Sequence, residues 1–102
     1  MVVASIPAAL AWSACRRVAA LEREGLVCGV QLCDVRADGA PERAMIGQGV
    51  ADVAGFVRAL VDADYGGDYE VELIGASLWD RPVNDFLADI VRACQGLGLT
   101  DQ

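Results

Sequence analysis

The stretch "LVCGVQLCD", Leu26 to Asp34, decides the fold. It is apolar almost throughout, interrupted by Gly29 and Gln31, and it stops at an aspartate. A strand wet on one side alternates polar and apolar residues, whereas one covered on both faces does not. Leu26 to Cys33 therefore reads as a strand of a parallel sheet covered on both faces. Gln31 is the residue that does not fit: it is either a satisfied core amide or a group pointing into a site.

The segments on either side read as helices. Ser5 and Pro7 can open one. Leu10, Ala14, Val18 and Leu21 then recur at helical spacing, until Gly25 closes "EREG". Residues 34–49 read as a loop carrying Gly39, Pro41, Gly47 and Gly49. Asp52 is a good N-cap, and Val53, Phe56, Val57, Leu60 and Val61 follow on one helical stripe, the clearest such signal in the chain. The glycines of "DADYGGD" end that helix. From Tyr69 to Gly75 the chain alternates, with Tyr69, Val71 and Leu73 on one face and Glu70, Glu72 and Ile74 on the other. Residues 76–83 form a loop. A last helix opens at Asn84 or Asp85 and presents Leu87, Ile90, Val91 and Cys94 as its apolar side.

The order is α-β-α-β-α, which means α/β class with two adjacent parallel strands and outer helices. The 102 residues hold one domain. Two strands leave open sheet edges, so self-association through those edges is expected.

Composition removes much chemistry. All eight basic residues are arginine, with no lysine and no histidine. A Schiff-base lysine, a Ser-His or Cys-His pair and a histidine metal site are therefore excluded within the chain. Acid–base work falls to Asp, Glu, Tyr or Cys. The net charge of −7 argues against nucleic acid or an anionic membrane as partner. Cys15, Cys28, Cys33 and Cys94 form no C-x-x-C pair and have no zinc spacing. They read as unreactive thiols of a cytoplasmic protein. The apolar start lacks a positive leader region and is too short to span a bilayer.

Ligand sites of parallel sheets form at the carboxyl ends of the strands. Gln31 with Asp34 stands near the end of the first strand, and Glu72 stands late in the second. A buried Glu72 needs a partner. Glu70 shares its face, so the pair calls for a cation or arginines, unless the face is simply solvated. Between the strands lie Arg43 and "AMIGQGVAD". Gly47 and Gly49 there permit a tight turn or a close backbone approach, and an arginine beside it can grip a carboxylate or phosphate.

Taken in order, "VQLCD", Arg43, "GQG", "VADVAGFVRALVDA", "DYGGD" and "YEVEL" resemble the C-terminal part of the xylose isomerase-like TIM-barrel superfamily, the sugar phosphate isomerases and epimerases. The resemblance covers about residues 28 to 95. It implies a partial (β/α) barrel in which residues 26–98 are the last two βα units and 1–25 a helix matching nothing in the family. It makes Glu72 a metal ligand and catalytic carboxylate. Gln31 becomes a metal ligand where relatives often have histidine, and Arg43 a substrate-binding residue. Oxygen donors of this kind suit Mg²⁺ or Mn²⁺ better than Zn²⁺. Ile46 stands where the family usually has proline.

The implied chemistry is proton transfer next to a carbonyl of a small sugar or carbonyl substrate, through a metal-stabilised enediolate. Isomerisation and epimerisation both fit. So does dehydration, because the Gln-Leu-x-Asp pattern is similar to that of some 3-dehydroshikimate dehydratases. A whole barrel needs about 250 residues, so the resemblance implies a truncated chain that is inactive alone. The reading from another class is a small non-enzymatic α/β module.

Overall fold

A computed structural model describes residues 2–4 and 11–99, with side chains from residue 15 onward. The stretch from Leu26 to Asp34 supplies the middle strand of its sheet. Strand β1 is Val2–Ala4, β2 is Val30–Leu32 and β5 is Tyr69–Val71; they form a three-stranded parallel sheet in the order β1-β2-β5. Val3, Gln31 and Glu70 share one register row. The β2–β5 ladder runs one step further, since Glu72 N donates to Leu32 O at 3.0 Å.

A third strand corrects the two-strand expectation. β1 has only three residues, too few for a periodicity to stand out. The helix start expected at Ser5 and Pro7 lies outside the described residues; α1 is described as Ala11–Arg23. α2 spans Val53–Asp62. Asp52 caps it as expected, its side chain accepting from Gly55 N at 3.0 Å. Its stop differs from expectation: Asp64 takes the left-handed conformation, φ 64°, and Gly66 and Gly67 do not. Aspartate tolerates that region better than most residues. Beyond β5, the segment expected as a loop contains a short helix α3, Ala76–Trp79, before α4, Val83–Gly96.

Strand order equals chain order. Right-handed crossovers that all step in one direction put their helices on one face. Accordingly Val18 of α1 and Val53, Phe56, Val57 and Leu60 of α2 bury against Val30 and Leu32, with Ala93 of α4 and Leu97 just beyond it packed beside them. Val30 and Leu32 are 1% and 0% exposed. The helix α4 turns inward Phe86, Ile90 and Ala93, while Leu87 and Val91, expected inside, are exposed.

Among the described residues the sheet is covered on this one face only, a second correction. Glu70, Glu72 and Ile74 point to the other side and are exposed. The molecule is thus a mixed α/β domain with an open parallel sheet, and it is not closed into a barrel.

Residues expected as a plain loop after β2 form a hairpin, β3 Asp34–Val35 and β4 Arg43–Ala44, paired antiparallel. It sits at the carboxyl ends of the strands over a second apolar cluster of Cys33, Met45 and Leu73, against which Phe86 and Ile90 pack.

Candidate functional site

The carboxyl ends of β2 and β5 carry the site that the sequence suggests. Gln31, Arg43 and Glu72 line one small cavity of about 50 Å³, completed by Leu32, Cys33 and Ile74. They converge for three local reasons. Gln31 faces away from the core because its neighbours Val30 and Leu32 face into it. Glu72 takes the same face through the alternation of β5. Arg43 reaches the strand ends because β4 folds back, its backbone N–H donating to Ile74 O at 2.9 Å.

These side chains are largely uncommitted. Gln31 Nε2 donates to Glu70 Oε2 at 3.4 Å, a long bond. Half-buried Arg43 donates from Nη1 to Pro41 O at 3.4 Å and has no ion pair among the described residues. Glu72 makes no side-chain hydrogen bond among them. It is also exposed, so the burial expected of it is wrong. An exposed carboxylate keeps its water and needs no partner.

Asp34, the other group expected near the strand end, has a different task. It is 1% exposed. Its Oδ1 accepts from Val35 N at 2.8 Å and Ala51 N at 2.9 Å; its Oδ2 accepts from Gly47 N at 3.0 Å and Gly49 N at 3.1 Å. Four donors meet a buried carboxylate's need for hydrogen bonds. Asp34 does not line the cavity.

The two glycines of "GQG" serve this arrangement in different ways. Gly47 has φ +89°, a conformation other residues avoid. Gly49 approaches so closely that a Cβ would run into Asp34 Oδ1 and Val35 O. Ile46, where the family usually has proline, is buried in the main core.

Sequence reasoning missed a clamp on the same loop. Glu42 accepts from Ser77 Oγ at the start of α3 and from Arg36 at 3.5 Å. These contacts, Ser77 first, hold its carboxyl below the usual glutamate range. Trp79 Nε1 donates to Leu73 O at 2.8 Å, tying α3 to the end of β5. An acid beside a turn is too common a pattern to announce such a clamp. The Asp34 cradle did have a signal, an aspartate ending an apolar strand ahead of a Gly-x-Gly.

A larger cavity of about 390 Å³ lies toward the amino ends of the same strands, lined by residues including Cys28, Gln31, Tyr65, Asp68 and Glu70. Size favours it, but parallel sheets bind ligands at the opposite end, and Arg43 and Glu72 are absent from it. Among the described residues no three acidic or thiol side chains cluster as a metal site.

Cys33 is buried. Burial pushes the half-buried Cys15 and Cys94 thiols up, with the charge of Asp52 adding to the effect at Cys15. Cys28 departs from the expected placement in a buried strand. It lies before β2, not within the strand, and is exposed.

No helix among the described residues is long and apolar enough to cross a membrane. Comparison with protein-family models and with curated proteins finds no match.

Proposed function

We infer that the chain is the C-terminal part of a divalent-metal-dependent sugar or sugar phosphate isomerase or epimerase of the xylose isomerase-like kind. The observation that carries this reading is the shared cavity of Gln31, Arg43 and Glu72 at the carboxyl ends of neighbouring parallel strands. The resemblance asks for those three residues, and they lie far apart in sequence. The fold supports it too. Strands in chain order with every long helix on one face make the pattern of a (β/α) barrel wall, whose inner face is where Gln31, Glu70 and Glu72 lie.

The donors fit a hard cation in kind: one amide oxygen and one carboxylate, both reachable from solvent. Gln31 turns its amide nitrogen to Glu70, and its amide oxygen is the atom a cation takes. Gln31 and Glu72 are the residues that would hold Mg²⁺ or Mn²⁺. When bound, the ion supplies Lewis acidity toward a substrate carbonyl. Glu72 is the carboxylate placed to take or return a proton at the carbon beside that carbonyl. Arg43 orients an anionic or oxygen-rich end of the substrate by bidentate hydrogen bonding.

Titrating Mn²⁺ into the protein by calorimetry tests the reading. Saturable binding is expected, weakened at least about tenfold in Glu72→Ala, as loss of a direct ligand requires. Equal affinity in both proteins would overturn the ligand assignment.

A second reading, a module that self-associates, is favoured by one observation. Val83, Leu87 and Val91 form an exposed apolar stripe on α4 at 67%, 53% and 50% exposure. Light scattering separates the two, since a concentration-dependent mass favours the second.

A further inference from the structure

A carboxylate buried beside a candidate site, yet facing away from it, needs its own account. Asp34 begins β3, the strand paired with the β4 that carries Arg43. Its oxygens take the N–H groups of Gly47, Gly49 and Ala51, all in the segment that follows β4. The fold-back is sealed by Val50 N donating to Val35 O at 2.9 Å and Gln48 N donating to Met45 O at 2.9 Å. The chain thus leaves β4, wraps around one carboxylate and enters α2 at Asp52. β4 is only two residues long, with little ladder of its own to hold it.

We propose that Asp34 is the positioning residue of the Gln31–Arg43–Glu72 cavity: by gathering the amides that follow β4, its carboxylate fixes the strand and thereby the direction of the Arg43 guanidinium. Asp34 touches no substrate in this scheme and acts through Arg43. The role rests on the reading of Arg43 as a site residue.

A neutral amide cannot replace the carboxylate. In Asp34→Asn one oxygen becomes an NH₂ group, which meets backbone donors head-on and accepts nothing. That half of the cradle opens while the size of the side chain stays the same.

The experiment uses the full chain without metal, so it reads the same whether or not Mn²⁺ binds. Amide exchange and the Arg43 Nε–Hε resonance are followed by NMR in the native protein and in Asp34→Asn. In the native protein the Gly47, Gly49 and Ala51 amides should be protected although they lie in a loop. In Asp34→Asn they should exchange about tenfold to hundredfold faster, the scale of a lost buried acceptor. The Arg43 Nε–Hε signal should shift or broaden while the Leu60 amide in the core keeps its protection. A merely structural role moves Leu60 protection together with the loop and leaves no signature specific to Arg43; that result overturns the proposal. Open-loop exchange of the three amides in the native protein overturns it as well, even if the variant fails to fold.

Discussion

On the helix side of the sheet, Val30 and Leu32 are sealed among side chains from three helices. One residue away on the other side, Gln31, Glu70 and Glu72 have few protein partners. Both faces belong to the same short strands and differ only in the parity of the residue number. A sealed face is held to its residues by volume, because close packing makes every missing methylene costly. An open face carries no such demand, so residues there are free to serve a ligand.

Breaking the sealed face should give the largest effect. Leu60 is fully buried in the core of α2. Leu60→Ala should cost about 2–5 kcal/mol, read as a lower urea midpoint. A loss below about 1 kcal/mol would mean that this face is far less tightly packed than described.

A smaller effect, of opposite sign, is expected at the rim of that face. The Tyr69 hydroxyl is buried without a hydrogen-bond partner among the described residues, and its ring meets Tyr65 edge-on at 5.3 Å. Tyr69→Phe should leave stability unchanged or raise it by up to about 1 kcal/mol. Burial also pushes the Tyr69 phenol above its usual value. A group raised on folding stabilises fully below its unfolded value and loses that contribution as pH climbs through the folded one. Alkaline unfolding above about pH 10 should therefore soften in Tyr69→Phe. An unchanged alkaline limb would remove Tyr69 from the explanation.

The smallest stability effect belongs to the open face. Glu72→Ala should change the urea midpoint by less than about 0.5 kcal/mol even as it weakens Mn²⁺ binding. A large destabilisation would erase the contrast between the faces and make Glu72 a structural residue.

Much of this was legible in the sequence because it rests on period. The stripe from Val53 to Leu60 and the Asp52 cap are local signals, and they hold. The alternation from Tyr69 to Ile74 assigned both faces of β5 correctly, although the ordered strand is shorter. What the sequence could not show depends on neighbours distant along the chain. Leu87 and Val91 satisfy a helical stripe as well as Phe86 and Ile90 do; only the second apolar cluster decides which pair turns inward. The apolar run around Gln31 read as covered on both faces, but a strand flanked by β1 and β5 and roofed on one side carries the same residues. Spacing put Gln31 and Glu72 near the strand ends with Arg43 between them, the resemblance gave each its expected role, and all three line one cavity. The Asp34 cradle joins residues 13 to 17 apart, and the sequence announced it only by an aspartate that ends an apolar strand ahead of Gly-x-Gly, not by the backbone donors themselves.

The order β1-β2-β5 has a consequence for how such a protein changes over evolutionary time. With each strand laid beside its predecessor, a further strand–helix unit can join either edge without any existing connection being crossed or rethreaded. Duplication or fusion then extends the sheet by accretion, and each added unit arrives with its strand end already at the rim that holds Gln31 and Glu72.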